Sequence, residues 1–196
     1  MDKSIGPKKR MPVPLSDLQR VQQQCWQVDD GLRWIVAAIS DTDCRMAEIV
    51  GLSKADVRLD GDIPYISIRP QPWRRLKTAS SERDIPLVGS AFCGITRAYQ
   101  STNSKMLFPR YNNGVSTNSN SASAALSKWI KQQTKPDCMM HSFRRSFRVR
   151  LRAVECAIEL TDALGGRSAD GIGAAYGQGY SLQLKQKWLS AMVLNP

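Results

Sequence analysis

The sequence predicts an α+β fold that is mainly α-helical and contains one small three-stranded antiparallel sheet. Apolar residues recur at helical spacing in most segments of the chain, whereas only residues 57–87 contain short runs of alternating polarity bounded by turn residues. The chain has 196 residues, of which 42% are hydrophobic, and this composition is enough for a sizeable core. We therefore expect one globular domain.

The N-terminal residues differ in composition from the rest of the chain. They are polar and basic and contain prolines, as linkers and arms do, so we expect a basic arm over residues 1–14 and the globular domain over residues 15–196. Helical periodicity then predicts a first helix from Leu15 and a second helix over residues 32–39.

The third predicted helix carries the first charged pair of interest. We expect it to begin with Asp41 or Thr42 as the N-cap and to end before Gly51, because glycine favours the end of a helix. Arg45 and Glu48 are then three positions apart and lie on one helix face. A salt bridge on the helix surface is the simplest explanation of such a pair.

Three short runs in the middle of the chain are predicted as strands: residues 57–59, 63–69 and 83–87. The turn-forming pair Asp60 and Gly61 separates the first two runs. Residues 70–81 form a polar loop, rich in Arg and Lys, between the second and third runs. We expect this loop, which contains Lys77, to extend outward from the sheet.

The remainder of the chain is predicted to be helical, apart from a Ser/Asn-rich surface loop over residues 101–120. The predicted helices cover residues 90–99, 122–133, 142–152, 156–164 and 181–192. In the last of them, Leu184, Trp188 and Met192 form one apolar stripe. This stripe packs either on the core of its own domain or on a neighbouring molecule, and the sequence leaves both alternatives open.

The chain is strongly basic, with 28 Lys and Arg against 17 Asp and Glu and a formal net charge of +11. Residues 102–154 contain ten Lys or Arg and a single acid, Asp137, so this half is expected to carry a positive face. Such a face favours a polyanionic partner, and nucleic acid is the commonest one. Many basic proteins bind no DNA, so the charge by itself does not decide the function.

The sequence disfavours a membrane protein and a metal site. No run approaches the roughly 18–20 apolar residues that span a bilayer, and the N-terminus lacks the apolar run of a signal peptide, so we expect a cytoplasmic protein. The cysteines are odd in number and widely spread, with a single histidine beside them, so we expect reduced, mostly buried thiols and no zinc. They are Cys25, Cys44, Cys93, Cys138 and Cys156.

Two motifs in the second half contain residues that bind anions or act as nucleophiles. His141 begins a predicted helix three residues before Arg144, so both side chains can point to one anion, although a capping histidine beside a solvated basic face explains them as well. Arg167 follows two glycines and precedes Tyr176 by nine residues. A tyrosine between small residues and glycines is, taken alone, most simply an aromatic residue in a loop.

Six residues nevertheless occur in one order along the chain: Arg45, Glu48, Lys77, His141, Arg144 and Tyr176. This set resembles the tyrosine recombinase family, the phage integrases and their relatives. The resemblance extends over nearly the whole chain, from about Leu15 to Met192, and is most specific in its second half. It implies the tyrosine recombinase catalytic-domain fold, of the DNA breaking-rejoining enzyme type.

The resemblance rests on four matched motifs. The family's first catalytic arginine, followed by a glutamate and a Gly-Leu helix exit, matches Arg45. Its hairpin lysine, in a Leu-Lys-Thr-x-x-Ser-x-Arg-x-x-Pro-Leu run, matches Lys77, and its His-x-x-Arg box matches His141 and Arg144. Its nucleophile matches Tyr176, within a Tyr-Gly-x-Gly-Tyr-Ser-Leu run similar to that of one subgroup of bacterial and prophage integrases.

One position departs from the family pattern. The family usually has His or Trp nine residues before the nucleophile, where this chain has Arg167. Arginine can still donate a hydrogen bond to a phosphate oxygen, although its fixed charge and fork geometry differ from an imidazole or an indole. The resemblance therefore includes Arg167 among the catalytic residues, with a catalytically degenerate member of the family as the competing interpretation.

The resemblance also implies a mechanism. Tyr176 attacks a DNA phosphodiester to form a 3′-phosphotyrosine, while Arg45 and Arg144 hold the non-bridging oxygens with permanently charged, bidentate donors. His141 accepts or relays the proton of the phenol, and Lys77, on a mobile hairpin, protonates the leaving 5′ oxygen. No metal and no other cofactor is required.

The biological task that the resemblance implies is site-specific recombination, the integration or excision of a phage or mobile element. The expected partners are double-stranded DNA at specific attachment sites, further copies of the chain in a homo-tetramer on DNA, and accessory DNA-bending proteins. We expect the N-terminal DNA-clamping domain of family members to be absent here, and the DNA binding of this piece to be weak and sensitive to salt.

Two alternatives from other classes remain open at this stage. A non-enzymatic DNA-binding module would lay the predicted helix over residues 142–152, with its five arginines, on the DNA backbone without forming a covalent adduct. A type IB topoisomerase-like enzyme would use the same chemistry to relax supercoils without needing paired sites.

Overall fold

The computed structural model describes residues 11–134, 138–167 and 179–194, and Tyr176 lies outside these described residues. This part of the chain contains eight α-helices and one three-stranded sheet, which confirms the predicted fold class. The helices are α1 (Leu15–Val28), α2 (Gly31–Ser40), α3 (Met46–Val50), α4 (Gly89–Ser101), α5 (Ser119–Gln133), α6 (Met140–Ala153), α7 (Ile158–Gly165) and α8 (Leu182–Ala191). The strands are β1 (Val57–Arg58), β2 (Tyr65–Ile68) and β3 (Arg83–Pro86).

The sheet is antiparallel, with β2 between β1 and β3. Ile66 of β2 lies opposite Val57 of β1 and Ile85 of β3, and all three side chains are buried. The alternating pattern in the sequence therefore reflects one sheet face that packs on the core and one that is partly exposed. The three predicted strands and their antiparallel pairing are confirmed.

The core lies around α2 and α4, which pack along each other. Residues 35–40 of α2 are all buried. The two helices lie close together at Gly94, where an added Cβ would be 2.8 Å from the carbonyl oxygen of Trp34. A side chain at this position would force the helices apart, so glycine is required by their packing.

Helix α3 begins later than expected, and the prediction of an N-cap at Asp41 or Thr42 is wrong. Arg45 is itself the N-cap and has an extended backbone. The physical reason is Asp43, whose φ of 53° is left-handed and interrupts the helix. Arg45 and Glu48 still meet, because the Glu48 carboxylate accepts the backbone N–H of Arg45 at 2.9 Å.

The loop over residues 70–81 does not extend outward along its whole length, as the sequence suggested. Arg74 is 2% exposed, and its two Nη atoms each lie 3.1 Å from a carboxylate oxygen of Asp56. The same guanidinium donates to two backbone carbonyl oxygens, so its charge and its donors are satisfied in the interior. Lys77, by contrast, is exposed as expected.

Helix α6 does not present all of its five arginines to solvent. Arg144 and Arg150 are buried, and each pairs with an aspartate from the turn after α2. A module that lays all five arginines on DNA as one exposed face is therefore not supported, because these two side chains are not on the exposed face of α6. Their charges are held inside the domain by specific carboxylates.

The apolar stripe predicted for helix α8 is buried at one end and exposed at the other. The helix packs against β3, and Lys185 Nζ donates to the Asp84 carbonyl oxygen at 2.9 Å. Met192 is buried and Trp188 is partly buried against the core, whereas Leu184 is 38% exposed. The C-terminal end of the stripe thus packs on its own domain, and its N-terminal end lies at the surface.

The segment just before α1 also contacts the core. Val13 is buried, and its carbonyl oxygen accepts a hydrogen bond from Ser146 Oγ at 2.9 Å. Residue 13, which the sequence assigned to the arm, therefore packs on the domain.

The cysteines are free thiols, four of them buried and Cys93 half-buried. In the part of the chain that the structure describes, no helix has the length and apolar character needed to cross a membrane. Within the same residues, no group of three or more His, Cys, Asp or Glu side chains is placed to hold a metal ion.

Candidate active site

Arg45, at the start of α3, is held by hydrogen bonds from one of its two Nη atoms. Its Nη1 donates to Glu48 Oε1 at 2.7 Å and to Ser81 Oγ at 3.2 Å, and the side chain is 27% exposed. The salt bridge expected from the sequence is therefore present. The Nε and Nη2 atoms of Arg45 have no acceptor among the described residues, so these donors are available to an external anion.

Glu48 is buried between two arginines. Besides Arg45, it contacts Arg83, whose Nη2 donates to Glu48 Oε2 at 3.0 Å and whose side chain is also buried. Burial alone would raise the pKa of Glu48, but the charge of Arg83 and the hydrogen bonds from both arginines outweigh it and hold this pKa below its ordinary value. Glu48 is therefore ionised at neutral pH and orients Arg45.

Arg144 projects from α6 toward the turn between α2 and α3. Its Nε donates to Asp43 Oδ1 at 2.8 Å, and its Nη2 donates to the Gly165 carbonyl oxygen at 3.0 Å. The side chain is 7% exposed, and its Nη1 has no acceptor among the residues that the structure describes. Like Arg45, Arg144 is held in one orientation and keeps unused donors.

A closed set of contacts joins Arg45 and Arg144 through Arg83. The Arg83 Nη1 donates to the Ser81 carbonyl oxygen at 2.6 Å, and its Nε donates to the Leu164 carbonyl oxygen at 2.8 Å. Ser81 is also bonded to Arg45, and Leu164 precedes the glycine that accepts from Arg144. Asp43, which is bonded to Arg144, lies two residues before Arg45, so these contacts together form a ring. The two guanidinium groups are thereby held in one region.

The two glycines at the end of α7 allow this terminus to approach the arginines. An added Cβ at Gly166 would lie 2.6 Å from Arg83 Nη1, and the φ of 61° at Gly166 is one that favours glycine. An added Cβ at Gly165 would collide with the side chains of Arg167 and Asp43. Neither position can hold a larger residue without displacing a member of the site.

Arg167 follows α7 and faces the same aspartate as Arg144. Its Nη1 lies 2.8 Å from Asp43 Oδ2, as an ion pair whose atoms are not aligned for a hydrogen bond, and its side chain is 27% exposed. Burial lowers the pKa of Arg167, Asp43 opposes this effect, and the charge of Arg144 adds to it. The residue that stands in place of the usual His or Trp is therefore beside Arg144.

Lys77 and His141 lie at the edge of this network. Lys77 is exposed, and the described residues show no contact between its ammonium group and the arginines. The next residue, Thr78, has its hydroxyl 3.0 Å from Ser81 Oγ, so the loop meets the network at that point. His141 is exposed in the first turn of α6, three residues before Arg144.

The structure thus brings together Arg45, Arg144 and Arg167, whereas Tyr176 lies outside the described residues. Sequence reasoning missed three members of the network: Asp43, Ser81 and Arg83. Signals for the last two were available, because the run around the hairpin lysine has a serine and an arginine at these positions. The signal for Asp43 was only a carboxylate two residues before an arginine, which is a common arrangement.

Comparison with known proteins gives one family. The model of the phage integrase family matches residues 20–176, most of the chain. No curated protein matches the sequence. A search of the solved structures finds an integrase of the Tn1549 transposon, in complex with transposon right end DNA, at a TM-score of 0.64 and 14% identity. That match covers 95% of this chain and 66% of the integrase.

Two further structures have a similar fold. XerA recombinase has a TM-score of 0.65 and 16% identity, over 97% of this chain and 62% of the recombinase. A lambda integrase tetramer bound to a Holliday junction has a TM-score of 0.57 and 13% identity, over 89% of this chain and 50% of the integrase. At these identities the likeness concerns the fold alone. The chain spans less than two thirds of the length of these structures.

Proposed function

Because the chain belongs to the phage integrase family and has the fold of a tyrosine recombinase catalytic domain, we propose that it cleaves and rejoins DNA at specific sites through a covalent bond to Tyr176. One observation carries this proposal most strongly. The guanidinium groups of Arg45 and Arg144 are joined by a single ring of contacts, and each keeps donors that no described residue uses. Such a pair suits a phosphate with two non-bridging oxygens.

The proposed cleavage step transfers one phosphoryl bond. The Tyr176 hydroxyl oxygen attacks the scissile phosphorus and its proton passes to His141, while the bond from phosphorus to the 5′ oxygen breaks and that oxygen receives a proton from Lys77. A phenol with an ordinary pKa of about 10 is a weak nucleophile at neutral pH, so neighbouring cations are needed to favour its ionised form.

The arginines supply the electrostatic part of the reaction. Negative charge develops on the non-bridging oxygens as the phosphorane forms, and preorganised donors stabilise this charge more than they stabilise the ground state. Arg45 is oriented by Glu48, and Arg144 is oriented by Asp43, before any DNA is bound. Arg167, held at the same aspartate, would supply a third cationic donor.

Recombination follows from the reversibility of this step. The 3′-phosphotyrosine retains the energy of the cleaved bond, so the 5′ hydroxyl of a partner duplex can attack it without ATP. We propose integration or excision of a phage or mobile element as the task, performed by a tetramer at specific attachment sites, with accessory DNA-bending proteins. The similar structures support the class of partner, because the transposon integrase is bound to transposon DNA and the lambda integrase tetramer to a Holliday junction.

The net charge of +11 supports binding to DNA by the same domain. Contacts that go mainly to phosphates release counterions, so the affinity should fall steeply as salt rises.

The test is a nicked suicide substrate, from which the short leaving strand dissociates after cleavage and prevents religation. Wild-type protein should form a protein–DNA adduct that resists denaturant, and Tyr176→Phe should form none. Tyr180→Phe is the matched control, because Tyr180 lies four residues away in the same glycine-rich run. An adduct that survives Tyr176→Phe would refute the assignment of the nucleophile, and no adduct with the wild type would favour a degenerate DNA-binding member.

A further inference from the structure

We propose that Asp43 is a positioning residue that holds Arg144 and Arg167 at one carboxylate, so that Arg167 acts as a second donor beside Arg144 at the scissile phosphate. This inference rests on the proposed function, because it assigns both arginines a role in phosphoryl transfer. Asp43 itself does not touch the substrate. It acts through the two guanidinium groups that it holds.

The backbone at Asp43 has a conformation that most residues avoid. Its φ of 53° lies in the left-handed region, where a Cβ is unfavourable and where glycine, asparagine and aspartate occur most readily. A glycine would satisfy the turn without strain, so the turn alone does not require a carboxylate. The side chain is fully buried, with 0% exposure.

A buried carboxylate needs compensating charge, and the only cations that contact Asp43 within the described residues are the two arginines. Arg144 Nε bonds to Oδ1 at 2.8 Å, and Arg167 Nη1 lies 2.8 Å from Oδ2. Each carboxylate oxygen thus faces one guanidinium. Without the negative charge between them, the two like charges would repel each other and separate.

Among the described residues, no other carboxylate is as close to Arg167 as that of Asp43. Asp162 Oδ1 is 4.0 Å from Arg167 Nη1, but it already pairs with Arg148 Nη1 at 3.0 Å. The backbone of Arg167 is fixed as well, because its N–H donates to the Asp162 carbonyl oxygen at 3.0 Å. Asp43 therefore determines where the end of the Arg167 side chain lies.

The pairing leaves donors for a substrate. Arg144 keeps Nη1, and Arg167 keeps Nε and Nη2, since these atoms have no acceptor among residues 11–134, 138–167 and 179–194. Two guanidinium groups on one carboxylate also retain one net positive charge. Arg144 and Arg167 can therefore both donate to one phosphate. Arg167 must do so if it replaces the usual His or Trp.

The experiment is a double-mutant cycle on the rate of adduct formation under single-turnover conditions with saturating suicide substrate. Asp43→Asn keeps the shape and the left-handed backbone but removes the charge. We expect Asp43→Asn and Arg167→Ala each to slow cleavage about 10- to 100-fold, because small misplacements of a catalytic group cost about this much. The double variant should be no slower than the slower single variant, because the two residues act as one unit. The Kd for DNA should change much less than the cleavage rate.

Asp41→Asn is the matched control. Asp41 is buried in the same turn but pairs with Arg150, so Asp41→Asn should lower the melting temperature. Any slowing of cleavage by Asp41→Asn should be independent of Arg167, so that the double variant shows the product of the two single effects. If Asp43→Asn does not fold, Asp43→Gly removes the same charge and relieves the backbone. If the Asp43 variants cleave at the wild-type rate, or if the effects of the substitutions at positions 43 and 167 are independent, this inference is overturned and the proposed function is not. Failure of the wild type to form the Tyr176 adduct would overturn the proposed function as well.

Discussion

Arg144 and Arg150 offer a direct comparison, because both are buried arginines of α6 and both pair with an aspartate of the turn after α2. Arg150 Nη1 bonds to Asp41 Oδ1 at 2.8 Å, and its Nη2 donates to the Ser40 carbonyl oxygen. Asp41 also accepts hydrogen bonds from other groups: Gln22 Nε2 and the Ser90 backbone N–H. The Asp41 carboxylate and the two Nη groups of Arg150 are therefore occupied by the protein, whereas Arg150 Nε is buried without a hydrogen-bond partner among the described residues.

The Arg144 ion pair is less completely satisfied. Its Asp43 partner contacts a second arginine and no further donor among the described residues, and Asp43 Oδ2 has no aligned hydrogen bond. Arg144 is also close to the ring that includes Arg45. Burial and pairing are the same in the two regions, so neither distinguishes a catalytic arginine from a structural one. The surroundings of the unused donors do, because the unused Nε of Arg150 is enclosed by the protein, whereas Arg144 belongs to the ring of contacts that also holds Arg45.

The largest effect on stability is expected at Arg150, because its two Nη groups and its aspartate are all bonded within the protein. Arg150→Met removes a buried cation and leaves Asp41 buried without its counter-charge, which should lower the free energy of unfolding by about 3–5 kcal/mol. Urea denaturation followed by circular dichroism measures this change. At low temperature the folded fraction should still form the adduct at the wild-type rate. A loss of cleavage without a loss of stability would contradict the distinction between the two arginines.

Arg144→Lys should give the converse result. Lysine keeps one charge but cannot hold Asp43, Gly165 and a phosphate at once, so we expect the cleavage rate to fall about 10²- to 10³-fold. The loss of stability should be smaller than for Arg150→Met, because Asp43 retains Arg167 as a counter-charge. Single-turnover adduct formation and urea denaturation on the same preparation compare the two effects. Cleavage within threefold of the wild type would contradict the role proposed for Arg144.

Glu48→Gln tests the role of the buried carboxylate that pairs with Arg45 and Arg83. The folded-state pKa of Glu48 lies below its ordinary value of 4.5, so the stabilisation from its ionised form is complete above that value and is lost as pH falls through the lower folded pKa. The variant should lose about 2 kcal/mol at pH 7. It should also show a flatter dependence of stability on pH below 4.5. Urea titrations between pH 7 and pH 3 measure both, and identical pH profiles would refute the assignment.

The sequence predicts the elements of the fold well, because their apolar periodicity is local. The first residue of α3 was missed for a physical reason: Asp43 is left-handed, and its side-chain partner Arg144 lies 101 residues later in the chain, so no local pattern signals this turn. The burial of Arg74 was missed for the same kind of reason, because its partner Asp56 lies outside the loop. Composition shows that a loop is basic but does not show which of its charges finds a buried carboxylate.

The site was predictable to a similar extent. The order of Arg45, Lys77, His141, Arg144 and Tyr176 along the chain is a pattern that the resemblance detects without coordinates. The contacts between these positions are tertiary and leave no local signal. The supporting carboxylates and carbonyl groups, rather than the arginines themselves, are what the structure adds.

The smallest effect is expected at an arginine of α6 that pairs with no aspartate and does not belong to the ring around Arg45. Arg152 is exposed, and no hydrogen bond or ion pair joins its side chain to the described residues. Arg152→Ala should leave the urea midpoint and the adduct rate unchanged, because an exposed charge without a partner contributes little to either. If Arg152 faces DNA, the variant should only weaken binding and reduce the dependence of log Kd on log salt by about one phosphate contact. A rate loss comparable with that of Arg144→Lys would mean that exposed arginines of α6 contribute to catalysis. Membership of the ring that holds Arg45 would then no longer identify the catalytic arginine.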